Sequence, residues 1–294
     1  CYGALSVYTP GTLMSTGYLY YSASVLAQMA GVLGDVDDKQ KYEQLAARTM
    51  KAFNDKFWDE QKGGYGTNNQ SCNSFAIFLG APDKSKLPRV VANLARDVKE
   101  RGYHLTTGNL CTKYLLEALT ENGEAETAYK IATQTTYPSW GFMLSQGATT
   151  LWERWEYETG GSMNSHNHPM MGSVGSWLYK YVAGILPDIN HPGFEKFTLR
   201  PYIFNELQHA EASYQSVKGA ILSSWKKSKG RLEYNVTVPP NAVATIYIPT
   251  KDARSITEGG RRISGIKDYK FLRMEGHAAV YEIGSGVYRF NSKW

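Results

Sequence analysis

Apolar residues recur at helical spacing up to about residue 187, and this pattern predicts a helical first part of the chain. Ser15 is placed to cap a first helix that ends at Gly34. The acidic cluster at 35–38 is placed to begin a second helix. Together with these two, further helical runs predict about eight helices in antiparallel hairpins, the further runs covering about 69–79, 85–100, 109–121, 124–133, 147–156 and 172–185.

After Pro187 the apolar period changes from helical spacing to two. Apolar and polar residues alternate at 232–238 and at 244–248, which is typical of strands with one buried face. Turn signals such as Lys229-Gly230 separate these short runs. The pattern predicts an antiparallel β-sandwich of about eight strands. We therefore expect two domains, 1–187 and 188–294.

Composition and charge narrow the classes of partner. Hydrophobic residues make up 42% and charged residues 20% of the 294 residues, which is typical of a globular protein. The net charge of +5 is spread along the chain, and basic pairs such as Lys226-Lys227 are too short for the basic stripe of a nucleic-acid binder. No apolar run approaches the roughly 18 residues that a membrane span needs. We therefore expect neither nucleic acid nor a membrane as partner.

The start of the chain and its cysteines also carry information. The chain opens at Cys1 without a Met and shows no secretory signal, so we expect it to begin inside a larger protein. The compartment stays open, with a periplasmic or secreted location favoured over a cytoplasmic one. Cys1, Cys72 and Cys111 are far apart and form no CxxC arrangement, so we expect buried free thiols and no disulfide framework or zinc site.

One acidic residue stands out because aromatic residues flank it. Glu153 lies between Trp152 and Trp155, after a small, hydroxyl-rich turn at 147–150. Sugar rings stack their C–H faces on indoles, and a carboxylate shielded by indole can be tuned to exchange a proton. The alternative is a salt-bridged helix residue that pairs with Arg154 or with a residue one turn away.

The histidines offer weaker signals. His166 and His168 form an H-x-H pair, with His191 later in the chain, but no carboxylate or cysteine spacing completes a metal site. We therefore expect no metal and no cofactor. His104 precedes Leu105 and is read either as a substrate ligand or as a hydrogen-bonded structural histidine.

Several blocks, taken in order, resemble one family. The sequence resembles the bacterial α-L-rhamnosidases of glycoside hydrolase family 78 in the blocks Y-H-L-T-T-G (103–108), T-Q-T-T-Y-P-S-W-G-F-M-L (133–144), G-A-T-T-L-W-E-R-W (147–155) and N-H-P-M-M-G-S-V-G-S-W (167–177). The stretches 218–225 and 271–275 resemble that family's C-terminal β-sandwich. The resemblance implies an (α/α)6-barrel catalytic domain, incomplete at its N-terminus, followed by an antiparallel β-sandwich.

The resemblance also implies an activity and a set of site residues. It implies inverting hydrolysis of terminal α-L-rhamnose from glycans or glycosides, with two carboxyl groups roughly 6.5–9.5 Å apart. Glu153 matches the family's general base, and His168 matches a histidine that hydrogen-bonds the sugar. Trp152 and Trp140 would wall the pocket, and His104 is a further candidate for substrate binding. The expected partner is a rhamnose-bearing carbohydrate, and a homodimer is one assembly that we consider.

The sequence departs from the family at two places. The acidic block that carries the family's general acid lies upstream of the blocks matched here, and this chain has no such block. Where many members have Gly-Asp-Trp, the chain has Ala4 and Leu5 in the block 2–8. Losing an indole there would cost about 1 kcal/mol of stacking.

Two alternatives to the rhamnosidase function stay open. One is another (α/α)6 carbohydrate-active enzyme, such as a polysaccharide lyase with Glu153, His104 or a tyrosine as base. The other is a non-catalytic carbohydrate-binding relative.

Overall fold

The computed structural model describes residues 9–160 and 164–294, which form two compact units. One unit extends to Val174 and the other begins at Gly175. The departure at Ala4-Leu5 and the thiol of Cys1 lie outside the described residues. Within the described ranges, no helix combines the length and the apolar character that crossing a membrane requires.

The first unit is built from helices joined by short turns. Its helices are α1 (Gly11–Leu33), α2 (Val36–Phe57), α3 (Gln70–Phe78), α4 (Leu87–Glu100), α5 (Thr112–Glu121), α6 (Ala125–Ala132) and α7 (Trp140–Ser145). A small hairpin of β1 (Trp58–Asp59) and β2 (Gly64–Tyr65) follows α2, and a 3-10 turn covers Pro169–Gly172. The short helix α8 (Ser173–Trp177) crosses the division between the units.

The predicted boundary between the first two helices is confirmed, but the predicted first cap is wrong. Gly34 ends α1 at φ +76°, and the side chain of Asp35 accepts a hydrogen bond from the Asp38 N–H at 3.0 Å. Helix α1 begins at Gly11, directly after Pro10, where a proline's missing N–H leaves no helical bond unmade. Ser15 therefore lies inside the helix, and its hydroxyl donates to the Gly11 carbonyl at 2.9 Å.

Aromatic residues from several helices form the core of the first unit. The ring of Phe75 lies 5.2 Å from Tyr18 and 5.4 Å from Tyr114, between centroids. Cys72 and Cys111 are buried free thiols, as the sequence predicted. Burial raises the pKa of the Cys111 thiol to about 12, so this thiol stays protonated and unreactive at neutral pH.

The predicted helix at 147–156 is wrong. These residues form turns and bends, and the helix of this region is α7, which begins seven residues after the end of the predicted run 124–133. The hydroxyl of Ser139 accepts from the Phe142 N–H at 2.9 Å and so begins α7, and Gly147 follows its end at φ +81°. The Thr150 hydroxyl, the Glu153 N–H and the Trp155 indole N–H donate to carbonyls at least 12 residues away, and not to carbonyls four residues back.

The second unit is a two-sheet β-sandwich. It opens with a π-helical turn (Leu178–Val182), and its strands are β3 (Ile185–Pro187), β4 (Lys196–Leu199), β5 (His209–Ser216), β6 (Gly219–Ser228), β7 (Arg231–Val238), β8 (Val243–Pro249), β9 (Thr257–Glu258), β10 (Arg261–Arg262), β11 (Lys270–Glu275), β12 (Ala278–Ile283) and β13 (Gly286–Lys293). One sheet has the order β10-β9-β13-β7-β6-β5 and the other β11-β12-β8-β4-β3.

This arrangement corrects two details of the prediction. The described residues of the sandwich contain eleven strands where about eight were expected, because β9 and β10 have only two residues each, too few to show an alternating pattern. The sheets are also not purely antiparallel, since β4 pairs with β8 in parallel.

The core of the sandwich follows the alternation seen in the sequence. Leu232, Tyr234, Val236 and Val238 are all at most 2% exposed, while the residues between them are exposed or half-buried. Each such side chain contributes about 1.5–3 kcal/mol by leaving water. Trp177 and Tyr181, predicted as core residues, are buried too, along with Ala244, Ile246, Ile248 and Phe290.

Candidate functional site

Glu153 lies in an irregular stretch that pairs with a later one. The Glu153 N–H donates to the Ser165 carbonyl at 2.8 Å, and the His168 N–H donates to the Leu151 carbonyl at 2.8 Å. The hydroxyl of Thr150 donates to the His166 carbonyl. We call residues 150–153 and 165–168 together the paired segment. It brings the predicted base and the predicted sugar-binding histidine onto neighbouring stretches of backbone.

The carboxylate of Glu153 is half-buried and held by the backbone. Its Oε2 accepts a hydrogen bond from the Ser165 N–H at 3.0 Å. The neighbouring Arg154 forms ion pairs with Glu156 at 3.4 Å and with Glu158 at 3.2 Å. The guanidinium is thus engaged by two other carboxylates, and the main-chain donor of Ser165 fixes the direction of the Glu153 side chain.

His168 is oriented by the 3-10 turn that follows it. Its Nδ1 accepts from the Met170 N–H at 3.4 Å, so the ring caps the turn Pro169–Gly172. With Nδ1 as acceptor, the ring proton of a neutral His168 lies on Nε2. That N–H is the group with which this histidine can donate to a hydroxyl.

The tryptophans of this region are buried. Trp152 is 2% exposed, and its indole stacks on the ring of His166 at 4.8 Å between centroids. Trp140 is 7% exposed, lies edge-on to Trp155 at 5.2 Å and donates its indole N–H to the Met171 carbonyl at 2.9 Å. The ring contact of Trp152 with His166 thus joins the two stretches of the paired segment, while Trp140 contacts residues outside it. Contact of either indole with sugar stays a prediction.

Trp155, two residues after the first stretch of the paired segment, bonds to a second loop. Its indole N–H donates to the Thr107 carbonyl at 2.8 Å. Sequence reasoning noted Trp155 as a neighbour of Glu153 but gave it no partner, because its acceptor is a main-chain carbonyl 48 residues away. Thr107 lies in the T-T-G block, so two of the quoted blocks meet here.

His104 has protein partners on both ring nitrogens. Nδ1 lies 2.9 Å from the Arg101 carbonyl and Nε2 lies 2.8 Å from the Thr136 hydroxyl. A ring engaged on both sides favours the structural alternative for this residue. Its role as a substrate ligand stays a prediction.

A buried glutamine that sequence reasoning missed holds the same loop. Gln70 is fully buried in α3. Its Nε2 donates to Asp97 Oδ2 at 2.9 Å and to the His104 carbonyl at 3.1 Å, and its Oε1 accepts from the Thr106 N–H at 2.7 Å. The available signal was the group of polar residues Gln70, Ser71, Asn73 and Ser74 at the start of an otherwise apolar helix. Buried polar groups of this kind hold a loop in one arrangement.

The histidines do not gather metal ligands. Across residues 9–160 and 164–294, no three His, Cys, Asp or Glu side chains come together in the manner of a metal site. In the second unit, His191 Nδ1 lies 2.9 Å from Asp188 Oδ2, which gives that ring a local partner.

Two family descriptions match the sequence. Residues 4–182 match the bacterial alpha-L-rhamnosidase 6 hairpin glycosidase domain, and residues 184–262 match the bacterial alpha-L-rhamnosidase C-terminal domain. The first match alone covers more than half of the chain.

Individual relatives agree with these matches. An alpha-L-rhamnosidase of Streptomyces avermitilis is 33% identical over 290 residues, which cover 96% of this chain and 27% of that protein. An alpha-L-rhamnosidase of Formosa agariphila is 31% identical over 292 residues, or 97% of this chain and 31% of that protein. The chain thus spans less than a third of the length of these relatives.

Solved structures extend the likeness to the fold. The crystal structure of Streptomyces avermitilis alpha-L-rhamnosidase complexed with L-rhamnose matches with a TM-score of 0.89 at 32% identity, covering 99% of this chain and 28% of that one. The alpha-L-rhamnosidase from Dictyoglumus thermophilum gives a TM-score of 0.88 at 36% identity, over 97% of this chain and 32% of that one. The predicted fold class, a helical six-hairpin domain followed by a β-sandwich, is confirmed.

Proposed function

We propose, since this chain belongs to the bacterial alpha-L-rhamnosidase family, that it carries the general base of a glycoside hydrolase that removes terminal α-L-rhamnose with inversion. The base is Glu153, and His168 donates a hydrogen bond to the sugar. The substrate is a rhamnose-bearing glycan or glycoside. The L-rhamnose complex of the Streptomyces avermitilis relative supports rhamnose as the sugar.

The observation that carries this proposal is the placement of one carboxylate beside one oriented histidine. Glu153 and His168 lie on the two stretches of the paired segment, joined through the bonds of Glu153 to Ser165 and of Leu151 to His168. The carboxylate is half-buried, so it can reach a bound water, and it has a fixed direction, which general-base catalysis requires.

The reaction follows from these roles. Glu153 takes a proton from a water molecule, whose oxygen attacks the anomeric carbon from the face opposite the leaving group. The glycosidic C–O bond breaks, and the leaving oxygen takes a proton from a carboxylic acid on its own side. The resemblance places that acid upstream of the blocks matched here.

The test is Glu153→Gln in the full-length protein, with 4-nitrophenyl α-L-rhamnopyranoside as substrate. Removing a general base costs about 10²–10⁴-fold in kcat, while the Kd of rhamnose stays within about threefold because glutamine keeps the shape of the side chain. The matched control is Glu156→Gln, which removes a nearby carboxylate bound to Arg154 and leaves kcat within about threefold.

Two results would contradict the proposal. Turnover near wild type in Glu153→Gln would remove the base assignment. Proton NMR of the first product checks inversion, because the proposed mechanism releases β-L-rhamnose first, and initial release of the α-anomer would exclude it.

A further inference from the structure

The donor that holds the Glu153 carboxylate is a main-chain group. The Ser165 N–H donates to Oε2 at 3.0 Å, and the Ser165 carbonyl accepts from the Glu153 N–H at 2.8 Å. Backbone and side chain of Glu153 are therefore bound to the same residue. This double contact fixes both where the side chain starts and where its carboxylate ends.

Ser165 is itself held by contacts that do not involve the carboxylate. The next residue, His166, accepts the Thr150 hydroxyl at its carbonyl and stacks its ring on Trp152 at an interplanar angle of 19°. Three residues on, the His168 N–H donates to the Leu151 carbonyl at 2.8 Å. Because these contacts hold the residues that directly follow Ser165, its N–H is already in position before a substrate arrives, and such preorganised donors cost no rearrangement during reaction.

We propose that Ser165 is a positioning residue whose main-chain N–H holds Oε2 of Glu153, so that Oε1 is the oxygen that takes the proton from the attacking water. This inference rests on the proposed function of Glu153 as general base. Because Oε2 already accepts the Ser165 N–H, Oε1 is the oxygen without this hydrogen bond and can accept the proton of the water. The hydrogen bond to Oε2 also restricts rotation of the carboxylate, and the orientation of a reacting group contributes directly to the rate.

The proposal predicts that the N–H of residue 165 matters while its side chain does not. Ser165→Pro removes the N–H, since proline has none, and is expected to lower kcat by about 10–100-fold. KM is expected to stay within about threefold, because the sugar-binding groups remain. Ser165→Ala keeps the N–H, and this conservative variant is expected to restore kcat to within about threefold of wild type.

A matched control separates the loss of this donor from the effect of a proline in the segment. Asn167→Pro removes an N–H that donates to the Ser165 hydroxyl at 3.1 Å and not to the carboxylate. It is expected to lower kcat by less than about fivefold. All variants are made in the full-length protein, and their thermal unfolding is compared with that of wild type.

If Ser165→Pro does not fold, an amide-to-ester replacement at residue 165 removes the same N–H and keeps the course of the chain. The same loss in kcat is expected, without a change in KM. A fall of this size in kcat per active site, with KM unchanged, supports the assignment. A general loss of folded protein would instead lower the fraction of active enzyme and leave kcat per active site unchanged.

The outcomes distinguish this inference from the proposed function beneath it. If Glu153→Gln is inactive but the proline and ester variants keep wild-type kcat, the positioning role is wrong and the base assignment stands. If Ser165→Ala is as slow as Ser165→Pro, the side chain and not the N–H is responsible, and the inference is again wrong. If Glu153→Gln itself retains turnover, the proposed function fails.

Discussion

The β6–β7 hairpin and the paired segment both join two stretches of chain, but through different bonds. The hairpin has a continuous antiparallel register from Leu222 opposite Thr237 to Ser228 opposite Arg231. In the paired segment, the two main-chain bonds between the stretches are supplemented by the Thr150 hydroxyl and the Glu153 carboxylate. The hairpin is thus held by groups that every residue has, and the paired segment by groups that only certain residues have.

This difference decides what a substitution does in each region. A strand ladder survives most side-chain changes, so in the sandwich the cost of a substitution comes from lost burial in the core. In and beside the paired segment a single side chain supplies a hydrogen bond that no neighbour replaces, so the cost of a substitution comes from the lost hydrogen bond. Three substitutions test this contrast, beyond those at Glu153 and Ser165.

The largest expected effect on stability is that of Trp225→Ala in the sandwich. Trp225 is 1% exposed, and its indole N–H donates to the Val182 carbonyl at 2.8 Å. Removing a buried aromatic side chain lowers the free energy of unfolding by about 3–5 kcal/mol. Urea unfolding followed by circular dichroism measures this loss. Lys226→Ala, at the exposed neighbouring position, is the control and should change stability by less than about 0.5 kcal/mol. A loss below about 1 kcal/mol at Trp225 would contradict the role of core burial.

A smaller effect is expected from Trp155→Phe beside the paired segment. Phenylalanine keeps most of the buried ring but leaves the Thr107 carbonyl without the indole donor, at a cost of about 1–3 kcal/mol. The control is Trp58→Phe. The indole N–H of Trp58 donates to the exposed Glu60 carboxylate at 2.8 Å, and in the variant water can take the place of this donor. Equal losses in thermal unfolding for the two variants would refute the contrast between them.

The smallest effect is expected at Glu275 on β11. The hydrogen bond from Arg273, with the charge of Arg200 adding to it, holds the pKa of the Glu275 carboxyl below its ordinary value. The folded state therefore gains stability at pH above the unfolded pKa and loses it as pH falls through the lowered folded-state pKa. Because the side chain is 36% exposed, solvent screening limits the gain to less than about 1 kcal/mol.

Glu275→Gln measures this contribution. The stability difference between wild type and the variant is expected to be largest at neutral pH and to shrink as the pH falls through the acidic range. Added salt should reduce it as well, since exposed charges are screened. A difference that is unchanged between neutral and acidic pH would mean that the ionised carboxylate adds nothing.

The accuracy of the sequence predictions follows the same contrast. Asp35 and Gly34 were predicted correctly, because helix caps and left-handed C-terminal residues act within one helical turn. The run 147–156 was predicted as a helix on its apolar spacing, yet Trp152 and Trp155 find their partners in His166 and Thr107. Their tertiary contacts outweighed a weak local preference.

Local pattern and motif were enough for the two-domain order, the boundary between α1 and α2, the alternating core of β7 and the identity of Glu153 and His168 as candidates. Each of these depends on neighbours in sequence or on a short block. The oxygen of Glu153 that is held, the burial of Trp140 and Trp152, and the network of Gln70 were settled only by folding. Ser165 lies 12 residues from Glu153, and Thr106 lies 36 from Gln70. Main-chain partners at such distances cannot be predicted from residue type, since every residue but proline carries both a donor and an acceptor.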